Sequence, residues 1–487
     1  MRRSTRTVTT AAATLGLALT GALGFVPPAA AEPECLTSSS DFDRDGTPDV
    51  AIGIPGGSGR NGAVEVRLSN NGSPRTTTIT GSPGFGTAVT SLSSYADEGD
   101  DPLCSQLVVG SPDESTRTDL QRSGVVHVYY WSSSAKRFVL RASFEPQSQG
   151  VEGTAQSGAR FGAALAAEQR PADQTDPRPA RLFVGAPGVD INGFRDTGRV
   201  TSFWIDAEED PSAHHTEITQ LGEPLTDEPT PGAALGSSLS VGGGQVAMGM
   251  PGFPTGGLAG AGAVLVDALD TSDPDRPLPL VLTQASSGVP GTPEKGDLFG
   301  ASVHLVPSTG GGSPTLLVGA PGEDLGRTTD AGAVTIARLS TSSGEISGTV
   351  RAVDQGSAGM AGSVEPNDQF GAAVSSMRYG ASVAYLVGAP GEDVGRTRNA
   401  GMVQTIGNGK GWTQSTSGVP GTVEAGDRMG ASLGGAPSTG GTLPLIGIPG
   451  EDSSTGAVLV GLPTSGGSVT YLKGTRVGNR YGLAVGP

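Results

Sequence analysis

An all-β fold is predicted by three features of this sequence. As the terminator of an apolar run, Gly-x-Pro recurs at Gly53-Ile54-Pro55, Gly110-Ser111-Pro112, Gly185-Ala186-Pro187, Gly249-Met250-Pro251, Gly319-Ala320-Pro321, Gly388-Ala389-Pro390 and Gly447-Ile448-Pro449. An aromatic or large apolar residue before glycine recurs as often, at Phe85-Gly86, Phe161-Gly162, Leu235-Gly236, Phe299-Gly300, Phe370-Gly371, Met429-Gly430 and Tyr481-Gly482. Between the markers run segments that alternate apolar and polar residues, the period of a half-buried strand.

The clearest unit runs from Asn367 to Val403. Phe370-Gly371 opens an alternating run, YLVGAP forms an apolar strand, an acidic turn follows, and a third run starts at Ala400-Gly401. A weaker outer run near Trp412 makes four strands. The same order is written from Leu298 through Val334 and from Arg428 through Val458. Four strands at a period of 52 to 76 residues predict a seven-bladed β-propeller of four-stranded antiparallel blades over residues 32–487, because one small sheet cannot bury both faces until neighbours stack on it.

The motif residues have physical reasons. Proline donates nothing to a ladder, so Gly-x-Pro ends a strand at a blade corner. The residue before the second glycine is expected to pack between blades. The two series are displaced by one: the first Gly-x-Pro has no Phe-Gly ahead of it, and Tyr481-Gly482 has no Gly-x-Pro behind it. The N- and C-terminal segments are therefore expected to share one blade, which would also remove exposed edges. Longer loops at Tyr95 to Pro102 and Glu168 to Arg181 are either a partner-facing surface or tolerated drift.

These Phe-Gly and Gly-Ala-Pro pairs resemble the FG-GAP repeats of integrin alpha-chain head domains and of related bacterial secreted proteins, over nearly the whole mature chain. The resemblance implies a calcium-stabilised, non-catalytic binding or adhesion module, monomeric, whose partner is an extracellular protein or glycan. The competing expectation is a secreted hydrolase, esterase-like or phospholipase-like, built on the same propeller.

Residues 1–31 combine Arg2, Arg3 and Arg6 with an apolar middle and Ala29-Ala30-Ala31, the form of a secretory signal cleaved near Glu32. No later run is apolar enough to span a bilayer. Without the leader, 28 basic residues face 48 acidic ones, a net charge of about −20 that makes nucleic acid and anionic lipid poor partners. In an exported chain the two cysteines, Cys35 and Cys104, are expected to pair, two free or buried thiols being the alternative.

The strongest chemical motif is DFDRDGTPDV, Asp41 to Val50. Asp41, Asp43 and Asp45 alternate, Gly46 permits a sharp turn, Thr47 can offer its carbonyl, and Asp49 completes a set of hard oxygens suited to calcium. Ile52 stands where an EF-hand needs its glutamate, so the motif resembles the calcium loop between two strands of an FG-GAP blade; the alternative is a solvated acidic hairpin. The pairs Glu294/Asp297, Glu365/Asp368 and Glu424/Asp427, and the Glu-Asp pairs at 323–324, 392–393 and 451–452, are expected to bond turn amides or to hold weak cations. Signals for catalysis are thin. Ser432 formally sits in a G-x-S-x-G, but its aligned counterparts place it along a strand, so no catalytic residue is assigned. His127, His214, His215 and His304 show no metal-ligand spacing, and His214-His215 is read as lying between strands.

Overall fold

Strands form where alternation is bracketed by the glycine markers. The computed structural model describes residues 40–56, 60–69, 74–93, 105–147, 154–168, 180–205, 215–218, 229–269, 279–308, 312–340, 345–380, 382–407, 409–438, 441–463, 469–475 and 480–486. The expected leader and both cysteines lie outside them, and with them the expected Cys35–Cys104 pairing.

The first strands are β1 (Val50–Ile54), β2 (Asn61–Leu68) and β3 (Arg75–Pro83). The next sheet holds β4 (Ala88–Ser93), β5 (Ser105–Ser111), β6 (Val125–Ser132) and β7 (Arg137–Phe144). It is followed by β8 (Ala164–Ala167), β9 (Ala180–Ala186), β10 (Arg199–Ile205) and β11 (His215–Ile218). Then come β12 (Leu239–Gly242), β13 (Gln245–Met250), β14 (Ala263–Ala268) and β15 (Leu280–Leu282), and β16 (Ser302–Val306), β17 (Thr315–Ala320), β18 (Ala333–Arg338) and β19 (Arg351–Val353). The last groups are β20 (Ala373–Tyr379), β21 (Ser382–Ala389), β22 (Met402–Thr405) and β23 (Gly411–Trp412), then β24 (Ser432–Ser438), β25 (Gly441–Ile448), β26 (Ala457–Val460) and β27 (Thr470–Lys473). A short β20–β25 pairing, Arg378 opposite Thr442 and Tyr379 opposite Gly441, joins these last two groups into one sheet.

The strand pairs within these sheets are antiparallel, and each group runs in chain order. The final strand, β28 (Ala484–Gly486), departs from that order: it lies beside β1, with Ala51 opposite Gly486 and Gly53 opposite Ala484. His215 is the first residue of β11, paired with Phe203, so the reading that placed it between strands is corrected. The alternation in HTEI is too short to be told from a turn by period alone. Among the described residues no helix is long and apolar enough to cross a membrane.

Sheets meet through the glycine markers. The Phe-Gly residues Phe85, Phe161, Leu235, Phe299, Phe370, Met429 and Tyr481 are all buried at 1 % exposure or less. Phe161 sits in a core that joins Val126, Val128 and Phe144 of one sheet to Leu182, Val184 and Phe203 of the next. A Cβ at the glycine of each Gly-x-Pro would lie 2.0–2.1 Å from the carbonyl oxygen of the following Phe-Gly glycine, as at Gly319 against Gly371. Only glycine permits backbones that close. The last contacts return to the first sheet: Gly447 faces the Gly482 carbonyl, and the Gly482 amide donates to the Gly53 carbonyl at 3.2 Å.

Candidate metal centre

Three hydrogen bonds at Asp49 fix the acidic loop ahead of β1. The Asp49 amide donates to the Ser40 carbonyl at 2.9 Å, and the Asp49 carboxylate accepts from the Phe42 amide at 2.8 Å and the Ser69 amide at 2.7 Å. Asp41 accepts from the Asp45 amide at 3.2 Å and the Gly46 amide at 3.1 Å, which folds the loop back on itself at a glycine of φ +88°. Phe42, 2 % exposed, packs edge-on to Phe138 of β7 and anchors the loop to the second sheet.

This folding brings one carboxylate oxygen each of Asp41, Asp43 and Asp49 within 4.8 Å of one another. Asp41 and Asp49 are buried, and Asp43 is half-buried. Asp45 stands outside that trio: its Oδ1 accepts from the Thr47 amide at 2.8 Å, while its Oδ2 is buried without a partner. Asp43 Oδ1 is buried and unpartnered too. The structure places Thr47 through that amide contact.

Electrostatics favour a cation here. Burial, ahead of any other cause, pushes Asp49 up to about 8 and Asp41 up to about 6, and it raises Asp43 as well. Neighbouring aspartates add to each shift, and only Arg75, acting on Asp43, opposes them from the positive side. Buried carboxylates with unsatisfied oxygens need either protons or a metal to be stable. The donor set, all hard oxygen on one short loop, fits calcium.

Elsewhere the sequence-predicted acids divide. Asp297, Asp368 and Asp427 do bond turn amides, accepting from Glu294, Glu365 and Glu424 at 2.6, 2.7 and 2.5 Å. Asp324 and Asp393 likewise cap the amides of Asp330 and Asn399 at 2.9 and 2.8 Å. Glu323, Glu392 and Glu451 do not follow the turn-amide expectation. Each instead accepts a side-chain amide, from Gln284, Gln355 and Gln414 at 2.5, 2.6 and 2.5 Å. Sequence reasoning missed these glutamines, although Thr-Gln or Asp-Gln closes the outer run of each of these units.

The formal nucleophile motif is structural. Ser432 Oγ donates to the Gly482 carbonyl at 2.7 Å, just as Ser302 and Ser238 donate to Gly371 and Gly300, both at 2.8 Å. A different serine does meet a histidine and an acid. His127 on β6 lies 2.8 Å through Nδ1 from the exposed Ser143 Oγ on β7, its cross-strand partner, and 3.0 Å through Nε2 from Glu114 Oε2. The ring is turned end for end relative to serine proteases, where Nε2 faces the serine. His304 is half-buried and contacts Ser376 Oγ at 2.9 Å.

Comparison with known proteins bears on both family and role. The FG-GAP repeat model matches residues 36–66, the stretch that contains the acidic loop, β1 and most of β2. No curated protein matches the chain. Among solved structures, the periplasmic gluconolactonase PpgL of Pseudomonas aeruginosa is similar at 13% identity and a TM-score of 0.43, over 88% of this chain and 97% of its own. A candidate 6-phosphogluconolactonase of Bacteroides uniformis is similar at 10% identity and a TM-score of 0.44, over 90% and 98%. The expectation of a non-catalytic adhesion module is corrected by these findings, because the two similar structures are described as lactonases and neither as an adhesion chain. At such identities the reaction of those proteins does not carry over to this chain. What the residues and the family model establish together is that this all-β chain carries an FG-GAP repeat at residues 36–66.

Proposed function

We propose that the chain is an exported seven-bladed propeller whose first blade binds one calcium ion and is locked by it. The reading rests on one observation above the rest: Asp41, Asp43 and Asp49 converge within 4.8 Å although two of the three are buried. In this reading those three carboxylates hold the ion, Asp45 Oδ2 and the Thr47 carbonyl complete the set, and the ion neutralises charges that otherwise repel across the loop. The glycine-to-carbonyl contact, repeated seven times, supports seven blades, and β28 beside β1 supports closure. Val50 and Ile52 share a core with Leu445, Val458 and Tyr481, which supports the first and last blades as neighbours. Calorimetric titration tests the ion. A site in the range of extracellular calcium modules, roughly 0.1 to 1 mM, is expected for the wild type and its loss for Asp43→Ala/Asp45→Ala; equal heats from both proteins would refute it.

A second reading, a hydrolase, is favoured by the Glu114–His127–Ser143 contacts. His127 can take the proton of an exposed Ser143 hydroxyl while Glu114 stabilises the imidazolium that forms. Burial raises Glu114, but the His127 hydrogen bond and charge, with hydrogen bonds from Ser111 and Ser82, together outweigh it and leave the carboxyl below its usual range, the ionised form this role requires. Labelling with a fluorophosphonate, followed by peptide mapping, should mark Ser143 and cease in His127→Ala. Labelling elsewhere, or none, removes this reading.

A further inference from the structure

Three successive sheet junctions repeat one buried set of side chains: Gln284, Asp297 and Glu323, then Gln355, Asp368 and Glu392, then Gln414, Asp427 and Glu451. Each glutamine lies two residues past the outer-strand residue paired with the same valine position, Leu282 on Val264, Val353 on Val334 and Trp412 on Val403. Each aspartate precedes the Phe-Gly or Met-Gly pair by two residues, and each glutamate follows the Gly-x-Pro glycine by four.

The fold does not need these polar groups. At the junction into β8–β11 the same three places hold Pro146, Ala159 and Val189, all buried. The backbone is braced alike in either case: the Gly188 amide donates to the Ala159 carbonyl at 3.1 Å, as Gly322 does to Asp297 at 3.1 Å, Gly391 to Asp368 at 3.0 Å and Gly450 to Asp427 at 3.0 Å. An apolar corner is the cheaper solution, since isolated buried charge is costly. The acid-bearing corners therefore point to something that compensates them.

The unsatisfied atoms say what that is. Asp297, Asp368 and Asp427 are at most 1 % exposed, and each spends Oδ2 on a turn amide while Oδ1 has no partner. Gln284, Gln355 and Gln414 are 6, 4 and 7 % exposed. Each is anchored to its glutamate through Nε2, which holds its buried, unpartnered Oε1 beside that glutamate. Gly291, Gly362 and Gly421, all at positive φ, lie against these amides; an added Cβ would come within 3.2, 2.9 and 2.3 Å of Nε2. Every orphan is an oxygen acceptor. The charges acting on Glu323 are Asp297, Glu294 and Asp324, and those on Glu392 are Asp368, Glu365 and Asp393, all negative.

We infer that each of the three junctions binds one divalent hard cation between its glutamine carbonyl, its aspartate Oδ1 and its glutamate. Two carboxylates and one ion cancel in charge, and amide and carboxylate oxygens are the ligands calcium takes. Backbone carbonyls and water supply the remaining positions of a six- to eight-oxygen shell. At the third junction the Tyr471 hydroxyl already donates to Glu451 Oε1 at 2.7 Å, which leaves one oxygen fewer and makes that site the weakest.

The test is metal content, and it does not depend on the loop at Asp41. Protein stripped with EDTA, dialysed into calcium and analysed by mass spectrometry for bound metal is expected to hold one equivalent fewer in Asp368→Asn/Glu392→Gln than in wild type. The same drop of one is expected in the Asp43→Ala/Asp45→Ala background, so failure at the loop and failure at the junctions read separately. Because the neutralised pair could misfold, Gln355→Pro/Asp368→Ala/Glu392→Val, which installs the residues of the apolar junction, serves as the second variant and is likewise expected to lose one equivalent. An unchanged metal count in a folded junction variant overturns the inference and assigns protons to these carboxyls. Folded wild type that holds no calcium beyond the loop equivalent overturns it as well.

Discussion

The Tyr481 hydroxyl donates a 2.6 Å hydrogen bond to Glu65 Oε1, 416 residues earlier in the chain. Glu65 is held in place by Arg67, whose Nε donates to the same oxygen at 3.0 Å. The end of the chain is thus bonded by side chain, by the Gly482 amide and by the β28–β1 ladder to strands made at its beginning.

Truncation after Gly474 should consequently unfold far more than a tail. It removes Tyr481, 1 % exposed in a core shared with Val50 and Ile52, and leaves the inner edge of β1 unpaired. A fall in Tm above 10 °C, or loss of soluble protein, is expected in a thermal melt. Tyr481→Phe, which deletes only the hydroxyl, should cost about 1.5–3 kcal/mol, the range for a hydrogen bond to a charged group.

Calcium should raise the Tm modestly. At 100 times the dissociation constant one site adds about 2.7 kcal/mol. Spread over the unfolding entropy of roughly 450 residues at about 2 cal/mol/K each, that is about 3 °C per ion. Asp43→Ala should abolish the loop's share, as read by scanning calorimetry with and without EDTA. Identical curves for the wild type under both conditions would mean that the acidic loop carries protons instead.

Glycine contacts make a sharper prediction. In Gly319→Ala the new Cβ meets the Gly371 carbonyl oxygen at 2.0 Å and Ser302 Oγ at 2.4 Å, so two sheets must separate. Destabilisation of about 3 kcal/mol or more is expected. Gly326→Ala, where nothing lies within 4 Å and only φ +69° is strained, should cost about 1 kcal/mol. Equal urea midpoints for the two variants would show that the sheets do not meet at this glycine.

His304 sets a pH dependence. Burial lowers it from 6.5 to about 4, so the folded ring stays neutral where an unfolded one takes a proton. Its contribution is complete above about 6.5 and is lost as pH falls toward 4, worth up to about 3 kcal/mol at 1.36 kcal/mol per pH unit. Chemical denaturation of wild type and His304→Gln between pH 7.5 and 4 should show a steeper decline in the wild type.

Much of this architecture is legible in the residues because the glycine markers sit where backbones touch. The positions Gly53 through Gly447 and Gly86 through Gly482 locate strand ends, and their offset by one anticipates that residues beyond Tyr481 belong beside Val50. The acidic loop is legible for the same reason: its oxygens come from one stretch of nine residues, Asp41 to Asp49. What stays hidden is whatever the sheet stacking assembles. Gln284 is 39 residues from the glutamate it bonds, and Glu114 and Ser143 flank His127 only once β6 and β7 are paired in register. The two-residue strand Gly411–Trp412 carries too little period to be read by alternation, and only the repeat order placed an outer run near Trp412.

The placement of β28 beside β1 also has a meaning for biosynthesis. A chain made from its N-terminus presents β1 early, with one edge occupied by β2 and the other open. That edge finds its partner only when residues 484–486 emerge. For almost the whole of synthesis the first sheet is therefore an incomplete three-stranded template, and its commitment waits on β28.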